Sequence, residues 1–500
     1  MTAVPAPEAL GQRAARGMLW LMAQSMVARL SSFASQIVLA WLLVPADFGK
    51  VGLALTISNI AATLVSFGVD DVLLQRQRRM ALWARTAFWI SVALGVAGAA
   101  LVAAAAPFAA AAYGSPEVAG LVVVLAAAIA IGSLATVPTA AIRGALDFRF
   151  LALFNAWEVL TIQGGTVLLA WLGAGAYSFV VPIPVVAAAK VAAFWWRARP
   201  ALGGRIRPRL VRAFAGRGLM VAGNRLLTEL VQHGDYIVLG LISTPAVVGL
   251  YFFAFRLAAM PVRMLAGNFQ NVMFPTLARL VDEPARQRRT AFEAARLLAF
   301  VVMPLCMLQA ALAEPVLRLL FGAKWEGAIP LAQILSLGLP FDAVAWVAGS
   351  LLSARGEFRR LLIFAAALAP AFLVMVSAGG LLGGAVGTAA AVSLYFALGP
   401  ALMVMAVFRP EQSRAATVVG LYLVPGAVGA AAVAAGLGVA KLLLPAEAHL
   451  ARCVVIAAVA AAVGVPLTWA AAPDVMTRLA ERFLPIARGH RLGRLGPAKV

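Results

Sequence analysis

Arg29, Arg225, Arg256 and Arg263 all lie within stretches of chain too apolar for water, where a charge is costly. On insertion scales an arginine or aspartate at the centre of a membrane helix costs roughly 2.5–3.5 kcal/mol. Side chains that persist against that cost are expected to face water or a ligand inside the protein. Their spacing agrees with this. Arg225, Glu229 and His233 follow i, i+4, i+8 and share a helix face with Thr228 and Gln232. Arg256, Arg263 and Gln270 fall seven apart on a second stripe. The cations outnumber Glu229 and Asp235, which suits a ligand with several anionic oxygens. A guanidinium stays charged and can hold two phosphate oxygens at once. Arg225, Glu229, His233 and Asp235 are also candidates for charge pairing or for coupling to a proton or sodium ion, His233 as a protonation switch. The competing expectations are structural: acids neutralising adjacent arginines, Arg225 and Lys190 snorkelling to the membrane surface, and His233 packing between helices.

Other chemistry is missing from the chain. No G-x-x-x-x-G-K-[ST] phosphate loop, H-E-x-x-H or G-x-S-x-G occurs, and the three histidines stand apart at positions 233, 449 and 490. No catalytic residue, metal site or cofactor is therefore expected, and the chain is read as something other than an enzyme. Cys306 and Cys453 fall inside apolar stretches and imply no disulfide.

The elements that must hold these residues are membrane helices. The 500 residues are 63% hydrophobic and only 12% charged, with a mean hydropathy of +0.94; soluble proteins carry about 25% charged residues. Fourteen apolar stretches are long enough to span a bilayer, from 18–43 to 451–472 and including 119–141, 219–242 and 330–354. The net charge of +21 is not a nucleic-acid signature, because the basic residues are spread between spans. They gather on alternate connections: Arg76, Arg78 and Arg79; Arg143 and Arg149; seven arginines from Arg197 to Arg217; Arg279 to Arg296; Arg355, Arg359 and Arg360; and the tail from Arg478. The opposite connections carry only Lys50, Lys324, Lys441 and Arg452. This asymmetry predicts a multi-pass membrane protein with an even number of helices and both termini in the cytoplasm.

The chain also repeats. Ile37-Val38-Leu39 through Pro45-Ala46 to Gly49 returns as Ile237-Val238-Leu239 through Pro245-Ala246 to Gly249, at an offset of 200. The expected fold is an all-α integral membrane protein of about fourteen transmembrane helices. Two six-helix lobes, 1–196 and 219–408, form a parallel pseudo-two-fold repeat. A basic linker, 197–218, joins them, with Leu210, Val211 and Phe214 as an amphipathic turn on the membrane surface. Two extra helices, 409–472, follow as an appendage, and a basic tail, 473–500, carries an amphipathic helix from Val475 to Ile486. The offset pairs Arg29 with Glu229, and Arg256, Arg263 and Gln270 with Thr56, Thr63 and Asp70, with Asn59 extending the stripe. A cavity lined by Arg29, Thr56, Asn59, Thr63, Arg256, Arg263 and Gln270 is expected between the lobes near mid-depth.

Several segments, in order, resemble one family. Phe67-Gly68-Val69-Asp70-Asp71-Val72-Leu73-Leu74-Gln75-Arg76 is similar to the "FG…ALIQR" segment of bacterial polysaccharide-biosynthesis flippases, although Asp70-Asp71 is more acidic than that pattern. Val137-Pro138, Arg143 to Phe150, Asp235 to Arg256-Leu257, Phe274 to Arg279, and Phe321-Gly322-Ala323-Lys324-Trp325 continue the likeness over roughly 10–410. The resemblance implies the lipid-linked oligosaccharide exporter branch of the multidrug/oligosaccharidyl-lipid/polysaccharide superfamily. Such a protein moves undecaprenyl-diphosphate-linked sugar units across the inner membrane, with other polysaccharide-assembly proteins as partners. Three alternatives stand beside it: a peptidoglycan lipid II flippase, a cation-coupled multidrug antiporter of the same fold, and a non-transport scaffold for glycan assembly.

Overall fold

Proline sets many of the helix starts. Pro45, Pro116, Pro208, Pro245 and Pro284 each open a helix, where the missing N–H is of no consequence and the fixed φ suits the first turn. In the computed structural model, which describes residues 7–66, 69, 73, 80–145, 147–200, 202, 208–408 and 415–477, every regular element is a helix. Among these residues ten helices are long and apolar enough to cross a membrane. One of them, Phe358–Phe408, holds two crossings, because Gly383 and Gly384 leave helical geometry in its middle and Gly384 takes a φ of 57°. A side chain there would be strained, and glycine is not. Three further helices complete the fourteen crossings: Pro45–Ser66, Phe148–Trp171 and Pro208–Ile242. These three are long enough but less apolar, and they carry Thr56 and Asn59, Glu158 and Gln163, and Arg225, Glu229 and Asp235. Arg29, Arg256 and Arg263, by contrast, lie on helices that meet the apolar standard, Gln24–Leu42 and Pro245–Gly267.

Some expected spans differ in detail. The stretch 119–141 is broken into Pro116–Ser133 and Thr136–Gly144, and the Leu134 carbonyl freed at the break accepts the Trp195 indole N–H at 2.9 Å. An unsatisfied carbonyl in lipid would cost several kcal/mol, so the break depends on that donor. The stretch 330–354 is broken before Pro340, into Ala328–Gly338 and Pro340–Ala354. Helix Pro208–Ile242 starts well before the expected Leu219. Leu210, Val211 and Phe214 are thus part of its first turns rather than a separate surface turn. Of the segment Phe67–Arg76 only Val69 and Leu73 are described; both are buried, against Trp83, Ala87 and Val137. The tail helix expected up to Ile486 lies outside the described residues beyond Thr477, and its first residue, Val475, packs on Phe300 and Ala472.

The chain packs as two units. The first comprises Met1–Phe253, Leu320–Ala328 and Ala365–Ala391. Here the two copies of the repeated segment meet reciprocally. A methyl group on Gly49 would overlap the Pro245 carbonyl, and one on Gly249 would overlap the Pro45 carbonyl. A contact of i with j matched by j with i is what a two-fold axis produces. Beside it Phe48, Phe253 and Trp325 form a buried cluster, with centroids 5.9 Å apart for Phe48–Phe253, 5.0 Å for Phe48–Trp325 and 4.1 Å for Phe253–Trp325. The Trp325 indole donates to the Ala40 carbonyl at 3.0 Å, and Lys324 Nζ donates to the carbonyls of Trp41 and Leu43 at 2.9 and 3.0 Å. Trp41 donates in turn to the Leu320 carbonyl. These donors cap helix Pro7–Leu42, whose last carbonyls have no partner within the helix.

The second unit comprises Ala254–Leu319, Ile329–Phe364 and Val392–Val500. Gln287, 1% exposed, ties its arginine-rich end together: Nε2 donates to the Leu277 carbonyl at 2.8 Å and Oε1 accepts Arg355 Nε at 2.9 Å. Arg296 pairs with Asp474 at 2.9 Å, which fixes the chain just after the last helix, His449–Ala471.

Candidate functional site

The polar stripes occupy different surroundings. In the first unit Arg29 is half-buried on helix Pro7–Leu42, and its Nε donates to Ser25 Oγ at 3.2 Å, one turn earlier. On the same face Ser32 Oγ accepts Gln163 Nε2 at 3.0 Å, which joins this helix to Phe148–Trp171. Asn59 is exposed and Thr63 half-buried on helix Pro45–Ser66. Thr56 behaves otherwise. It is 2% exposed and its hydroxyl donates to the Gly52 carbonyl of its own helix at 2.8 Å, so it is not open to a ligand. A threonine inside an apolar helix often satisfies itself this way.

The group on helix Pro208–Ile242 divides in two. His233 Nε2 lies 3.4 Å from Glu229 Oε2, one turn apart and both partly exposed; Arg225 above them is half-buried. Asp235 turns the other way and is 1% exposed. Its Oδ2 accepts the Tyr251 hydroxyl at 2.7 Å, and its Oδ1 accepts the Tyr236 backbone N–H at 3.0 Å. Asp235 is thus locked into the packing between helices Pro208–Ile242 and Pro245–Ala278. Lys190 does not snorkel: its Nζ sits 2.9 Å from Glu158 Oε2. Two half-buried charges at membrane depth are better placed against each other than drawn separately to the surface.

In the second unit Arg256 is half-buried and Arg263 exposed, on one helix, Pro245–Ala278. The side chain of Gln270, and Asp70 of the matching stripe, lie outside the described residues. Arg263 acts electrostatically on Asp342, which opens helix Pro340–Ala354. Asp342 Oδ2 accepts the Trp346 indole N–H at 3.0 Å. Tyr395 and Tyr422, both buried, feel the same carboxylate. The sequence patterns described above single out neither Trp346 nor the two tyrosines. The i, i+4 spacing of Asp342 and Trp346 was a usable signal; nothing local pointed to Tyr395 or Tyr422, which arrive from other helices. Among the described residues no group of His, Cys, Asp and Glu is arranged to hold a metal ion.

Comparison with known proteins agrees with this architecture. The family model described as polysaccharide biosynthesis protein matches residues 38–330. The chain is 23% identical over 303 residues to the succinoglycan biosynthesis transport protein ExoT of Rhizobium meliloti (strain 1021), covering 60% of this chain and 61% of that one. It is 22% identical over 347 residues to the lipopolysaccharide biosynthesis protein WzxC of Escherichia coli (strain K12), covering 68% and 70%. The matched region thus spans less than two thirds of the first of these relatives. In fold the chain is similar to the lipid II flippase MurJ in an inward closed conformation, with a TM-score of 0.75, 13% identity and coverage of 92% of this chain and 100% of that one. With more than half its length matched by the family model and an all-helical, multi-pass membrane fold, this chain belongs to the polysaccharide biosynthesis protein family.

Proposed function

We propose that the protein is a flippase that moves undecaprenyl-diphosphate-linked oligosaccharide units across the bacterial inner membrane for surface or exopolysaccharide synthesis. The observation that carries this reading is the set Arg29, Arg256 and Arg263, held on membrane helices of a chain in this family. Its alignment with a protein named for transport in succinoglycan biosynthesis supports the same direction. The diphosphate binds these guanidiniums, Asn59, Thr63 and Gln270 contact the sugars, and the polyprenyl tail stays in lipid. Movement is by alternating access, the halves 1–196 and 219–408 of the repeat changing the membrane face to which the arginines are open. Both termini and the basic linker 197–218 are cytoplasmic, and the activity is transport without catalysis. Glu229 and His233 are the groups placed to couple a proton or sodium ion; Asp235 is engaged by Tyr251. Other polysaccharide-assembly proteins supply and consume the cargo.

The test is translocation of an undecaprenyl-diphosphate-linked oligosaccharide in proteoliposomes, with lipid II as competitor. Arg256→Ala and Arg263→Ala are each expected to abolish translocation while the protein still reaches the membrane in normal amount. Full activity in both variants refutes the role of the arginines, and preference for lipid II over the oligosaccharide carrier makes peptidoglycan precursor the cargo. A rate indifferent to pH and sodium excludes ion coupling.

A further inference from the structure

We propose that Asp342, Trp346 and Tyr422 form a sugar-hydroxyl subsite within the second unit, which takes the saccharide nearest the diphosphate. The inference rests on the flippase reading and adds to it the groups that read the cargo. Asp342 is half-buried at the start of helix Pro340–Ala354, and the Trp346 N–H holds Oδ2 at 3.0 Å from the next turn. That bond fixes the carboxylate and leaves Oδ1 with no donor among the described residues. No basic side chain there comes within the 4.0 Å of an ion pair with it, although Arg263 is in electrostatic range. Tyr422, from helix Ala415–Leu443, is 8% exposed, and its ring is stacked on Phe341 at 5.2 Å between centroids. Its hydroxyl is buried without a hydrogen-bond partner and lies in range of the same carboxylate.

A buried hydroxyl with no partner is costly, and a carboxylate oxygen with no donor is wasteful in a membrane interior. Both are satisfied together by a ligand that offers hydroxyl groups. A carboxylate accepts from sugar hydroxyls, a phenol can donate or accept, and an indole presents an apolar face to the C–H side of a pyranose. A diphosphate alone would gain nothing here, since Asp342 repels it. Arg263 therefore takes the anionic part of the cargo, and the subsite takes its first sugar. The extra helix Ala415–Leu443 then has a purpose beyond filling the membrane, since it delivers Tyr422.

The experiment measures binding to the full-length protein in lipid nanodiscs. The probes are undecaprenyl diphosphate, bare or carrying glucose or galactose. The wild type is expected to bind at least one glycosylated carrier more tightly than the bare one. In Asp342→Asn that preference falls roughly tenfold or more, the scale of one hydrogen bond to a charged acceptor. Bare carrier binds this variant as well or better, because a negative charge beside the diphosphate is gone. Tyr422→Phe loses a few-fold of the preference while melting at or above the wild-type temperature, since it removes an unsatisfied hydroxyl. A merely structural role would instead lower stability and weaken all three probes alike. Equal binding of bare and glycosylated carriers by the wild type, or an intact preference in both variants, overturns the subsite. An intact preference with a lost pH dependence of translocation in Asp342→Asn assigns the residue to proton coupling instead. A wild type that binds none of the three carriers removes the flippase reading itself.

Discussion

Lys190 and Glu158 show how a charge at membrane depth is settled by its partner rather than by its own sequence neighbourhood. They are 32 residues apart in the chain and 2.9 Å apart in the fold, with side chains 29% and 24% exposed. Removing one leaves the other uncompensated in a medium that solvates charge poorly. Lys190→Met and Glu158→Gln are each expected to lower the melting temperature in detergent, and the double variant to recover part of the loss. The coupling should be on the order of 0.5–3 kcal/mol, towards the low end for a pair this exposed. Strict additivity of the two single effects would mean that the pair contributes nothing. The helix-face spacing of Arg225, Glu229 and His233 was legible from the sequence, and so was the excess of cations. Asp235, two residues past His233, lies about 200° round the helix from it, so its turning off that face was legible too. Its partner Tyr251 was not, because it comes from the next helix.

At the scale of elements, the reciprocal crossing of Pro45 and Pro245 over Gly249 and Gly49 is the tightest packing of the repeat. Any side chain at either glycine meets backbone, which cannot swing aside. Gly49→Leu and Gly249→Leu are therefore expected to cost similar stability, at least the roughly 1–3 kcal/mol of an overpacked core. Size-exclusion profiles should show loss of the monodisperse species in both. A difference between them, one harmless and one severe, would contradict the two-fold relation in the first unit. Helix number and ends were largely legible, since hydropathy and proline mark them. The break at Leu134 has a local cause in Pro138, which has no N–H to give the carbonyl four residues before it. The donor that takes its place, Trp195, is 61 residues away and was not legible.

At the scale of the whole molecule, the proposed placement of both ends in the cytoplasm rests on the even number of crossings and on the arginine-rich connections. A fluorescent protein fused after Val500 should fluoresce, and alkaline phosphatase fused there should be inactive. The reverse pattern would invert the topology and the direction of transport. By itself the sequence determined that the chain crosses the membrane many times, that it contains a repeat at an offset of 200, and that cations lie at depth. These are properties of composition and period, which a linear chain carries openly. Only the tertiary structure decided which of the polar groups are spent. Asp235 went to Tyr251, Glu158 to Lys190 and Thr56 to its own helix, while Asp342 came together with Trp346, Tyr395 and Tyr422. In a low-dielectric interior each polar group is governed by the few atoms nearest to it, and those atoms come from helices far apart in the chain.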